Sequence, residues 1–177
     1  MMWNAKTKNN VRAPWWHASL RGFAVLCAVC PLLAVAAERT ADTYPQVWLN
    51  PGLYSYHFDR NKGYRDNNIG FGGELILHED HLLLAGHFVN SDGAHTHYAG
   101  YQWRPLHWQP AGINTSAGLI IAAFDGYPKY QNGGWFVAPI PAVSFEGRWV
   151  GLNVALVPTI SDRVHGAISF QLKVRVW

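Results

Sequence analysis

From residue 47 onward the apolar side chains of this chain fall on alternate positions, in short runs separated by polar or glycine-rich breaks. Ile69-Gly70-Phe71-Gly72-Gly73-Glu74-Leu75-Ile76-Leu77 and Ser169-Phe170-Gln171-Leu172-Lys173-Val174-Arg175-Val176 each put apolar groups on one face and glycine, polar groups or charge on the other. That is the two-residue period of a strand. The pattern predicts eight strands, near 47–58, 68–78, 81–89, 95–106, 113–124, 135–145, 148–158 and 165–176. Polar loops at 59–67, 90–94, 125–134 and 159–163 alternate with tight turns at Glu79-Asp80 and Glu146-Gly147. A soluble sandwich would bury the apolar faces against a second sheet, whereas a membrane barrel turns them to lipid and encloses the small, polar and charged residues. The even strand count and a leader ahead of the first strand favour the barrel. The expected fold is all-β: an eight-stranded antiparallel transmembrane outer-membrane β-barrel.

Parity assigns the two faces. Tyr54, Tyr56 and Phe58 point outward and leave Ser55 and His57 inside; Ala99, Tyr101 and Trp103 point outward and leave Tyr98, Gly100, Gln102 and Arg104 inside. Glu74, Lys173 and Arg175 also point in. Eight strands enclose a space for side chains or one small ligand, not an open pore. Trp48, Trp103, Trp108, Trp135 and Trp149 fall near strand ends, where interfacial aromatics belong. Terminal Trp177, out of parity with Val174 and Val176, is expected to overhang.

Composition narrows the function classes. The chain is 49% hydrophobic and 14% charged, yet no run after the leader is long enough to span a bilayer as a helix. The net charge of +3 draws on Lys6, Lys8, Arg12 and Arg21 in the leader, and the remaining cations are scattered, so no nucleic-acid partner is expected. Residues 1–21 form a basic segment, 22–34 an apolar core, and Ala34-Val35-Ala36-Ala37 a small-residue cleavage signal. Residues 1–37 are therefore expected to be a signal peptide and 38–177 a single barrel domain. Cys27 and Cys30 both lie in the leader, which leaves the processed chain without disulfide or thiol chemistry.

Phe58-Asp59 with Tyr64, the Asn90-Ser91 loop, Tyr98-Ala99-Gly100-Tyr101-Gln102-Trp103, Ala138-Pro139-Ile140-Pro141 and Val157-Pro158 occur in an order and spacing that resemble the PagP-like lipid A palmitoyltransferases. These are small outer-membrane barrels that move an acyl chain from a phospholipid to lipid A. The resemblance covers the chain from about Pro51 to its end. It implies a monomeric outer-membrane acyltransferase with phospholipid and lipopolysaccharide as partners and no cofactor. The family uses a histidine at the extracellular rim of the first strand and an Asp-Ser pair in the loop after the third. Ser91 matches the serine, Asn90 stands at the aspartate position, and Asp92 follows. One alignment puts Leu53 at the histidine position and another brings His57 within one residue of it; His57 is preferred because it faces inward at the end of its strand.

Such a histidine could take a proton from an acceptor or from Ser91, with a carboxylate orienting the ring. Asparagine cannot supply that charge, so Asp92 or Asp59 is expected to, while Asn90 and backbone amides could stabilise an oxyanion. The family has glycine at the floor of its acyl pocket where this chain has Gln102, alongside Tyr98 and Gly100; the resemblance therefore implies a pocket for a chain shorter than palmitate. Prolines delete ladder donors. Pro51, Pro139, Pro141 and Pro158 all fall within predicted strands and are expected to leave local gaps in the wall, which in the resembling family admit lipid sideways. Pro51 and Pro158 lie on strands that can approach each other across the closing seam, and Pro139 and Pro141 fit strand ends or bulges equally well.

Two further readings stay open. The chain could be a non-catalytic small barrel that binds or transports a small ligand, or a lipid A deacylase, although the adjacent His-Ser arrangement associated with that activity is absent. His95-x-His97 lacks a third convergent ligand, so no metal site is expected.

Overall fold

The computed structural model describes residues 43–159 and 166–177. The expected signal peptide, residues 1–37, lies outside the described residues. Eight strands form one closed, all-antiparallel barrel in chain order: β1 (Gln46–His57), β2 (Asn67–His78), β3 (His81–Val89), β4 (His95–Trp108), β5 (Asn114–Phe124), β6 (Phe136–Glu146), β7 (Val150–Val157) and β8 (Ala167–Arg175). The seam closes where β1 pairs with β8. Beyond β8, the backbone carbonyl of Trp177 accepts from Val47 N at 2.8 Å, so the exposed terminal residue extends the seam.

Alternation along each strand separates the two faces. Tyr54 and Tyr56 are each 47% exposed on the outer surface, while Ser55 and His57 between and beyond them are buried. Tyr101 and Trp103 face out, and Tyr98, Gln102 and Arg104 face in. Ile69, Phe71, Leu83, Ile121, Val137 and Leu172 continue the outer apolar surface around the barrel. Each such side chain would lose stability in water and retain it against lipid, which suits a wall whose solvent is a bilayer.

Near the short-turn end the interior is filled. Lys173 Nζ donates to Glu74 Oε2 and Glu146 Oε1, both at 2.7 Å, and Arg104 donates to Glu146 at 2.7 Å and to the Glu79 carbonyl at 2.8 Å. Two cations thus face two carboxylates, the pairing that buried charge requires. Trp48, only 1% exposed, packs with Ile76 and Leu82, and its ring lies 5.0 Å from the Lys173 ammonium.

The burial of Trp48 corrects its expected place at the interface. Between Asn50 and Gly52 the β1–β2 register shifts, so Trp48 and Asn50 point inward before the shift and Ser55 and His57 after it. Gly52 permits the bulge: its φ is +113°, and a Cβ there would stand 2.8 Å from the Asn68 carbonyl and the Gly70 amide. Trp103, Trp108, Trp135 and Trp149 do lie on the outer surface. Arg175 is half-buried beyond the inward Lys173, at the short-turn rim.

Candidate functional site

The opposite half of the interior is hollow. A cavity of about 160 Å³ runs below the long-loop rim, with apolar walls that include Leu84, Phe88, Ile120, Phe124, Phe136 and Ile140. Its mouth carries His57, Tyr64, Ser91, Asp92 and Tyr127. Its deep end turns polar, with Glu74, Gln102, Asn153 and Gln171.

His57 is the last residue of β1, and inward parity buries its ring at the mouth. Ser91 lies in the turn between β3 and β4, and its Oγ is 2.7 Å from His57 Nε2. On the other side of the ring, His57 Nδ1 is 3.2 Å from Asp66 Oδ1. Asp66 returns from the β1–β2 loop, where its carbonyl accepts from Ser55 N at 2.8 Å. Its second oxygen accepts from Arg60 Nη1 at 2.8 Å. That hydrogen bond, and then the one from His57, hold the Asp66 carboxyl below its ordinary value. An ionised carboxylate only accepts, so Nδ1 carries the ring proton and Nε2 is free to accept from the Ser91 hydroxyl. Serine, imidazole and carboxylate are joined in the order that activates a nucleophile.

The expected orienting carboxylates stand elsewhere. Asp92 pairs with Lys129 Nζ at 2.7 Å, and Asp59 accepts from Asn61 N at 3.1 Å at the head of a short turn. Asn90 is not an oxyanion donor either, because its amide donates to Thr96 Oγ1 at 3.0 Å and to the Gly126 carbonyl at 2.8 Å. Its Oδ1 accepts from Asp92 N and Ala94 N, each at 3.0 Å. All four bonds use the amide's mixed donor and acceptor character, and an aspartate would set negative charge against the Gly126 carbonyl. Asn90 therefore shapes the turn that presents Ser91. Tyr127 also lines the mouth: burial, then the Asp92 charge, push its pKa up, leaving it a hydrogen-bond donor there.

Leu53, four residues before His57, lines the apolar cavity and has no side-chain hydrogen-bonding group. Gln102 is 3% exposed at the deep end, and its Nε2 has no hydrogen-bond partner among the described residues. Tyr98 projects across the interior above Gly72, where an added Cβ would stand only 2.1 Å from the phenol oxygen. Gly100 belongs to the wall rather than the cavity lining, closely backed by Ala122.

Among the described residues, the β1–β8 and β6–β7 ladders are incomplete. Between Leu49 and Tyr54, β1 leaves β8, and Pro51 lies in that gap. The β6–β7 ladder covers only Ala142–Glu146, leaving Phe136–Pro141 unpaired on that side, although the β5–β6 ladder continues through Pro139 and Pro141. These two prolines accordingly mark the mouth-side gap rather than strand ends. Pro158 does not meet Pro51 across the seam, because it follows β7 and β8 intervenes; it lines the cavity.

A closed eight-stranded antiparallel barrel with a Ser-His-Asp constellation over an apolar cavity is the class these features define. A solved structure described as "De novo design of transmembrane beta-barrels" is similar in fold, with a TM-score of 0.53 over 76% of this chain and 99% of that chain, at 9% identity. No family model and no curated protein matches the chain.

Proposed function

We propose that this protein is an outer-membrane acyltransferase of PagP-like type, moving an acyl chain from a phospholipid to lipid A. The observation that carries the reading is the chain of contacts from Ser91 through His57 to Asp66 at the mouth of an apolar cavity. His57 Nε2 takes the Ser91 proton while Oγ attacks the donor ester carbonyl. The tetrahedral oxyanion collapses, the lysophospholipid hydroxyl leaves with the proton from His57, and the acyl group remains on Ser91. A lipid A hydroxyl, deprotonated by the same imidazole, then attacks the acyl-serine and frees the enzyme. The ionised Asp66 stabilises the imidazolium in both halves.

The cavity walls suit an acyl chain, and the gap beside Pro139 and Pro141 offers it a lateral path from the membrane. The outward apolar belt and the leader support residence in the outer membrane of a Gram-negative bacterium, with the long loops outside. Passage of a solute through the lumen is disfavoured by the charged network and Trp48 at the base.

The test is mass spectrometry of lipid A from cells with and without the protein, paired with labelling of purified barrel by a fluorophosphonate. One added acyl chain and adduct formation at Ser91 are expected. Loss of an acyl chain would replace transfer by hydrolysis. Unchanged lipid A together with an unreactive Ser91 in folded protein would overturn the catalytic reading in favour of a binding barrel.

A further inference from the structure

A second cavity, of about 180 Å³, lies among His57, Asp59, Arg60, Gly63, Tyr64 and Asp66. It shares His57 and Tyr64 with the acyl cavity, so the two spaces border the same reacting histidine, the acyl cavity on its Ser91 side and this one on its Asp66 side. Their linings are opposite in character: aliphatic and aromatic walls on one side, and carboxylate, guanidinium and phenol groups on the other. A molecule spanning both would place its apolar-to-polar junction beside Ser91 Oγ. In a phospholipid that junction is the acyl ester.

The charges restrict the polar end. Arg60 gives one N–H to Asp66 and lies 5.1 Å from the ring of Tyr56, an outward-facing residue. A guanidinium has five N–H donors, so Arg60 retains capacity for a phosphate oxygen at the level where the outer aromatic wall ends. Asp59 has no ion-pair partner among the described residues; its Oδ1 accepts only the local Asn61 amide. Lys129, over the Tyr64 ring, is already neutralised by Asp92. Two carboxylates against one guanidinium leave this space net negative, which opposes an anionic headgroup but accommodates a phosphate accompanied by its own ammonium.

We infer that the second cavity is the donor headgroup site and that it selects a zwitterionic phosphoethanolamine group, with phosphate toward Arg60 and ammonium toward Asp59. The inference rests on the acyl-transfer reading and adds the donor class to it. Because both charged groups are partly solvated, the preference is modest, about fivefold over a phosphoglycerol headgroup.

The experiment uses purified, detergent-solubilised barrel, lipid A, and phosphatidylethanolamine or phosphatidylglycerol of identical acyl composition in mixed micelles. Initial rates give a headgroup ratio for wild type, Asp59→Asn and Asp59→Glu. Expected is a ratio of about five for wild type, near one for Asp59→Asn, and a return toward wild type for Asp59→Glu. A wild-type ratio near one, or a preference that survives Asp59→Asn, overturns the headgroup assignment while leaving acyl transfer intact. A folded barrel that uses neither donor and whose Ser91 resists fluorophosphonate overturns the catalytic reading as well, and the assignment with it.

Discussion

The two halves of the barrel interior are built from the same alternating strands, yet one is filled and the other open. Toward the short turns, Glu74, Glu146, Lys173 and Arg104 neutralise one another beside Trp48. Toward the long loops, the centre is a cavity, and polar groups gather at its mouth, where His57, Ser91 and Asp66 bond in sequence. The wall follows the same division, since the β6–β7 ladder is paired from Ala142 toward the turns and open above it. A buried charge network holds the base closed, which permits the upper half to forgo packing and part of its ladder. The buried charge network lies at one end and the proposed chemistry at the other.

That division predicts effects that separate cleanly. Ser91→Ala and His57→Ala are each expected to reduce acyl transfer by about 10⁴-fold or more, because both belong to one reacting unit. Both variants should retain heat-modifiable migration, as neither side chain belongs to the base network. Near-wild-type acylation in either would break the assignment of chemistry to the upper half. Lys173→Met should do the reverse: it leaves Glu74 and Glu146 without their shared cation and costs about 3–5 kcal/mol of stability. Denaturant unfolding of the refolded barrel measures this. A midpoint equal to wild type would show that the base does not carry the fold.

Asp66→Asn tests the link between the halves of the catalytic contact. Removing the charge while keeping the shape should lower turnover by about 10²–10⁴-fold, since the imidazolium loses its stabilising partner and Nδ1 can settle in the wrong tautomer. Asp92→Asn should change turnover far less, because Asp92 is bound to Lys129. The two variants compared in one assay decide which carboxylate orients His57. The pH dependence has a defined sign: with its folded pKa depressed, Asp66 contributes stability above the ordinary value near 3.8, and that contribution is lost as pH falls through the lower folded value. Protease nicking of the β1–β2 loop in wild type should therefore rise only in strongly acidic buffer.

Alternation made most of the wall legible from sequence. Ser55, His57, Tyr98, Gln102 and Arg104 occupy the inward face that parity assigns them, because a one-residue slip would expose every one of them to the outer surface. Trp48 was hidden by the bulge at Gly52, where one irregular residue reverses the parity of everything before it. Asp66 was hidden for a different reason. Its approach to His57 depends on a loop folding back far enough for its carbonyl to meet Ser55 N, and no local pattern encodes that distance. Asp59 and Asp92 were nearer in sequence to His57 and Ser91, but a turn amide and Lys129 claim them. Pro158 was placed beside the wrong seam because strand order, not spacing, separates β7 from β1.

The smallest expected effect lies where the two halves meet, at Gln102. Its buried amide nitrogen has no hydrogen-bond partner among the described residues and sits on the cavity floor between the register positions of Leu82 and Ile120. Gln102→Gly removes both bulk and polarity, so the cavity should deepen and accept longer chains. Gln102→Leu removes polarity at similar length, so the cavity should keep its depth. Each added methylene that becomes buried is worth about 0.8 kcal/mol, enough to shift a product distribution by a few carbons. If length is set by bulk, only the glycine variant lengthens the acyl group found on lipid A. If it is set by the cost of burying an unpaired amide against hydrocarbon, about 1–3 kcal/mol, the leucine variant lengthens it too and unfolds at higher denaturant than wild type. No change in either folded, active variant would place the end of the acyl chain above Gln102, within the apolar walls of Leu84 and Ile120.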